Sequence, residues 1–142
     1  MKEFISQYLK YFVCFLSAGL FLACMPMPAI KFLGGAAQPS GGFFIIGWLG
    51  PLAGHFEWYA NPLLLIAMIF LLKNRPTISC VLSLISLLLI FATQFRGCII
   101  RDEGGACQAV AGYLIGWWLW VASAATLLIG SLFQGFIIPK AK

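Results

Sequence analysis

Long runs of apolar residues, closed off by single cations, prolines or short polar loops, set the pattern of this chain. The clearest is residues 55–76, HFEWYANPLLLIAMIFLLKNRP. Phe56, Trp58 and Tyr59 form an aromatic cluster of the kind that sits at headgroup level, and Lys73, Asn74, Arg75 and Pro76 stop the run. The pattern predicts a membrane-crossing helix over residues 58–73, with Asn61-Pro62 as an N-cap followed by first-turn proline. From Trp58 to Arg75 such a helix is about 27 Å long at 1.5 Å per residue, a short span.

Three further crossings are predicted. Residues 8–25 follow a basic head. A retained helix is expected there, with Ser17, Ala18 and Gly19 as a small-residue patch, although the uncharged stretch is also of signal-peptide length. Residues 77–95 carry Ser79, Ser83, Ser86 and Thr93 near one face, the mark of a helix–helix seam. Residues 109–133 contain Gly112-x-x-x-Gly116, continued by Ser123 and Gly130, which reads as a helix-packing stripe. Between the first two crossings, Pro26, Pro28 and Pro39 exclude a continuous helix. Residues 43–54 are apolar but too short to span, so an interfacial or re-entrant segment is expected; the alternative joins them to the next crossing as a broken helix. The predicted fold is thus an all-α membrane protein, one domain over residues 1–142, with four transmembrane helices.

Composition sharpens this. Of 142 residues, 62% are hydrophobic and 9% charged, against about 25% charged in soluble domains. The net charge of +5 is scattered singly at the ends of apolar runs, so it marks topology and gives no footprint for nucleic acid. With both termini inside, the inner side holds Lys2, Lys10, Lys73, Arg75, Lys140 and Lys142, and the outer side only Lys31, Arg96 and Arg101. The positive-inside rule therefore favours N-in, C-in in a plasma membrane, expected to be a bacterial inner membrane.

Candidate chemistry is sparse. Cys98 and Cys107 share a predicted outer loop, with Gly104-Gly105 allowing a turn, and are expected to form a disulfide. Cys14, Cys24 and Cys80 lie in apolar helices as packing residues. Phe21-Leu22-Ala23-Cys24 resembles a bacterial lipoprotein cleavage box, which would imply a lipid on Cys24. His55 and Glu57 are the ionisable pair nearest a crossing. Too few ligands accompany them for a metal site, and Glu57 is expected to pair with Arg96 or Arg101. Trp58, Tyr113, Trp117 and Trp120, with Trp48, Tyr59 and Trp118, could line an apolar cavity.

Bonding of a helix start by Glu57 is the other expectation for that carboxylate; Asp102 and Glu103 are adjacent in a loop, and no catalytic constellation is legible. Four crossings invite comparison with bacterial disulfide-generating quinone reductases, but no C-x-x-C lies between Cys24 and Cys80. Small multidrug-resistance transporters need a carboxylate in the first helix, and claudin-type proteins need paired cysteines in the first outer segment; both are lacking. The expected function is non-enzymatic, with no cofactor: an accessory, assembly or immunity-type subunit that binds another membrane protein or itself. The alternative is a carrier or binder of a small apolar or lipid-like ligand, a quinone or a lipid, proton-linked through Glu57.

Overall fold

A computed structural model describes residues 2–35, 37–100 and 107–137. Arg101, Asp102, Glu103, Gly104, Gly105, Lys140 and Lys142 lie outside the described residues.

The apolar runs form helices. They are α1 (Lys2–Cys24), α3 (Ala60–Leu72), α4 (Pro76–Ala92) and α5 (Ile115–Ile137), with a short α2 (Ser40–Ile46) between the first two. Among the described residues, three stretches are long and apolar enough to cross a membrane: Gln7–Cys24, Pro76–Phe95 and Ile115–Gly135. The fourth apolar stretch, Glu57–Leu72, is shorter. Pro76 opens α4 in its first turn, where a missing N–H costs nothing. Asn74, with φ 57°, makes the tight reversal that sends the chain from α3 into α4.

The expectation of an all-α fold needs correction. Four short strands form an antiparallel sheet in the order β2-β1-β4-β3. They are β1 (Pro28–Phe32), β2 (Ala37–Pro39), β3 (Cys98–Ile100) and β4 (Cys107–Tyr113). Pro26 lies in the turn after α1, Pro28 and Pro39 sit at strand ends, where no ladder donor is needed, and Gly34 and Gly35 take positive φ in the β1–β2 turn. Residues 109–113, assigned to the last crossing by hydropathy, are strand instead. The run 109–133 is longer than the about 20 residues a span needs, and its first residues pair with β1 and β3, as in Ile30↔Tyr113 and Cys98↔Ala109.

Residues 43–54 do not continue into α3. They form the end of α2 and a 3-10 segment, Gly47–Ala53, followed by a turn at Gly54 (φ 77°) and a second 3-10 turn, Glu57–Tyr59. Asn61 does not cap α3. Tyr59 holds the N-cap position without a side-chain bond, and Asn61 lies inside the first turn.

Chain connectivity puts the C-terminal ends of α1 and α4 and the N-terminal ends of α3 and α5 beside the sheet. The four helices therefore alternate in direction and share one capped end. Helix α5 packs along both α1 and α4, and α3 packs along α4.

The small and hydroxylated residues are consumed by these contacts. Ser17 and Ser123 each donate to the other's backbone carbonyl, at 2.9 and 2.8 Å, across α1 and α5. Further along the same seam, the Val13 side chain fills the space that a Cβ on Gly130 would need. On α4, Ser79 shares a 2.8 Å bond with Ser131 of α5, Ser86 donates to the Ala60 carbonyl of α3, and Ser83 bonds back to Ser79 O. These hydroxyls are fully buried, so their bonds replace those water would have made.

Gly112 is a further correction. It stands in β4 opposite Lys31, off the helix that carries Gly116, so the two glycines form no common helical stripe. Gly116 serves a different contact. A Cβ there would approach the Met27 and Pro28 carbonyl oxygens at 2.7 and 2.9 Å, so glycine lets the start of α5 rest against the start of β1.

Candidate functional site

A cavity of about 360 Å³ opens between the capped end of the helices and the sheet. Its shape follows from the chain order. Helix α1 supplies Phe21 and Cys24 from its last turn, and α5 supplies Trp117 and Trp120 from its first two. The segment 40–58 closes the side with Phe43, Phe44, Leu49 and Trp58, and β1 supplies Ala29 and Ile30. Phe44 meets Phe21 edge-on at 6.0 Å and Trp58 at 6.4 Å, and Trp58 Nε1 donates to the Phe44 carbonyl at 2.9 Å. That bond locks the 3-10 turn before α3 onto α2.

The polar groups of the cavity come from His55, Glu57, Asn61, Thr93 and Arg96, with Gln38 and Ser40 on the sheet side. Glu57 is buried, at 7% exposure, although it precedes a helix by only a few residues. Arg96 Nε donates to its Oε1, and Arg96 Nη2 donates to the Gly54 carbonyl at 2.8 Å. One guanidinium thus holds both the acid and the turn before it. His55 Nδ1 lies 3.7 Å from Glu57 Oε2, too far for a good hydrogen bond but close enough for attraction when protonated. Of the two partners expected for Glu57, Arg96 is the one found; Arg101 is outside the described residues.

Asn61 makes the sharpest contrast. It is 6% exposed and lines the cavity, yet its side-chain amide makes no hydrogen bond among the described residues. Trp120 Nε1 is buried and likewise lacks a partner among them. A buried donor without a partner, such as Trp120 Nε1, is uncommon, and the Asn61 amide is left to face the cavity.

The aromatic residues divide. Trp58, Trp117 and Trp120 line the cavity, as do His55 and Glu57. Tyr113 does not. It donates to the Thr93 carbonyl at 2.7 Å and packs on Trp117 at 4.9 Å, behind the wall. Trp117 Nε1 donates to Thr93 Oγ1 at 3.0 Å, so strand β4, helix α5 and the end of α4 meet at one threonine. Burial raises the Tyr113 pKa, the bond to Thr93 lowers it, and the charge of Glu57 raises it further; the net shift is upward. Trp48, Tyr59 and Trp118 are exposed.

Phe21, Phe43, Phe44 and Asn61 were not legible as site residues. Each reads in sequence as part of an apolar run or a helix start, and only the folding of segment 40–58 over the helix ends brings them together.

Cys98 and Cys107 form the expected disulfide. They lie on the paired strands β3 and β4, with Cα atoms 5.5 Å apart. Cys14, Cys24 and Cys80 are unbridged; the first two are buried. Among the described residues no group of three or more His, Cys, Asp or Glu could hold a metal ion.

No protein-family model, curated protein or solved structure matches this chain.

Proposed function

We propose that this protein is a four-crossing integral membrane protein, with both termini on the inner side of a plasma membrane, that holds a small apolar or lipid-like molecule in its capped end. The single observation that carries this reading is the cavity. Its volume lies in the range of small-molecule sites, its walls are aromatic and aliphatic, and a few polar groups converge on one side.

The short helix α3 fits the four-crossing reading. With its preceding turn it covers Glu57–Leu72, about 24 Å at 1.5 Å per residue. Phe56 and Tyr59 are exposed at one end and Lys73 is exposed at the other, so an aromatic belt and a snorkelling cation extend the span. The cavity would then open near the outer headgroup level, where an amphipathic molecule has its polar part.

The small-residue contacts at Ser17–Ser123, Val13–Gly130 and Ser79–Ser131 are made within the chain, so they do not favour the accessory-subunit reading over this one.

The test is purification in mild detergent, followed by organic extraction and mass analysis of what remains bound. One apolar molecule per chain is expected, and it should be lost from a Leu49→Trp variant that fills the cavity while keeping its unfolding temperature. An empty extract together with a stoichiometric larger membrane protein would favour the accessory role instead.

A further inference from the structure

We infer that the occupant of this cavity is an uncharged, carbonyl-bearing apolar molecule, and that the side-chain amide of Asn61 is the group that reads its carbonyl. This rests on the ligand-holding reading above and narrows it to a chemical class.

Charge balance is the first argument. Glu57 and Arg96 face the cavity as a closed pair, and Arg96 has already given Nε to the carboxylate and Nη2 to the Gly54 carbonyl. An anionic headgroup would find two of the guanidinium donors already used and a carboxylate beside them. A cationic headgroup would find the carboxylate engaged and the guanidinium beside it. The pair balances its own charge, so a ligand of no net charge disturbs it least at this end.

Asn61 supplies the second argument, and it is independent of the first. An amide carries two donors and one acceptor, and in a buried wall these normally find protein partners. Here none is found among the described residues, on a residue that is only 6% exposed and lines the cavity. A neutral carbonyl oxygen accepts from the amide N–H without bringing charge. The rest of the molecule then lies against Phe21, Phe43, Phe44 and Trp117. Two kinds of molecule share this chemistry: a quinone ring with an apolar tail, and the ester of a neutral glycerolipid.

The experiment uses the full chain in dodecyl maltoside, a detergent with no ester or amide group to compete. The probes are a decyl-tailed benzoquinone, dioctanoylglycerol, decylbenzene, decanoate and decyltrimethylammonium. Binding is measured by equilibrium dialysis and by the shift in unfolding temperature. At least one neutral carbonyl probe is expected to bind about tenfold or more tighter than the other three. Preference for the benzoquinone identifies a quinone site, and preference for dioctanoylglycerol identifies a lipid-ester site. Asn61→Leu should lose that tenfold advantage while binding decylbenzene as before, and without ligand it should unfold no earlier than the parent. Asn61→Asp, which keeps the shape and adds a charge, should lose the same advantage and serves if the leucine variant does not fold. Charged probes binding as well as neutral ones, or carbonyl probes binding equally to the Asn61 variants, would overturn the inference while leaving the apolar cavity standing. If no probe binds, decylbenzene included, the ligand-holding reading falls with it.

Discussion

Arg96 reaches across 39 residues of sequence to hold Glu57, with its Nε on one carboxylate oxygen and its Nη2 on the carbonyl of Gly54. The carboxylate is nearly buried, whereas the arginine side chain keeps 40% exposure. Loss of the two partners is therefore not equivalent. The acid left behind by Arg96→Ala stays in a low-dielectric wall with His55 3.7 Å away, whereas the arginine left behind by Glu57→Gln can turn to solvent.

Arg96→Ala should destabilise the fold by about 1–3 kcal/mol, the cost of leaving a buried acceptor without its donor. Glu57→Gln should cost less, and the double variant should recover part of the Arg96→Ala loss. Chemical unfolding in detergent, arranged as a double-mutant cycle, measures the coupling. Additive effects would mean that the pair contributes nothing beyond its members.

Gly130 has no room for a side chain, because Val13 fills the space over it. Valine is stiff about its first side-chain bond and cannot swing aside easily. Gly130→Ala should cost about 1–3 kcal/mol through overpacking. Val13→Ala in the same chain should restore most of that loss, even though each change alone is unfavourable. Thermal unfolding of the two single variants and the double variant decides it.

Tyr113 links pH to stability. A free phenol titrates near about pH 10. In the fold burial raises this value, the Thr93 bond opposes the rise, and Glu57 adds to it. A folded value above the unfolded one means that the neutral phenol's contribution is fully present below about pH 10 and is lost as pH rises through the folded value. Unfolding followed from pH 8 upward should show this alkaline decline. Tyr113→Phe should lower stability at neutral pH by about 0.5–1.5 kcal/mol, for the bond to Thr93, and should flatten the decline.

Cys98–Cys107 closes the β3–β4 hairpin over a sequence separation of 9. A loop of that size contributes about 2–3 kcal/mol in the chain-entropy model. Reduction, or Cys98→Ser with Cys107→Ser, should lower stability by that order and loosen β4 from β1. Peptide mapping without reductant should recover the linked pair. Free thiols at both positions would remove the staple from the account.

Much of the architecture is carried by quantities that add up locally along the chain. The apolar runs end at Lys73 and Arg75, at Pro76 and near Arg96, and a helix follows wherever such a run is long enough to satisfy its own backbone. The Cys98–Cys107 bridge and the pairing of Glu57 with an arginine after α4 were also legible, since few residues of those types exist to choose from. What could not be read locally is whatever needs a partner from elsewhere. Residues 109–113 have the hydropathy of a helix start, and pairing with β1, far away in the chain, and with β3 makes them a strand. Gly112 and Gly116 share a motif in sequence but part company at that boundary. The burial of Asn61 arises only because α2 and the 3-10 segment fold over the helix ends. Helix formation closes its hydrogen bonds within a few residues; sheet pairing and cavity formation close theirs across the whole fold, so they had to wait for the third dimension.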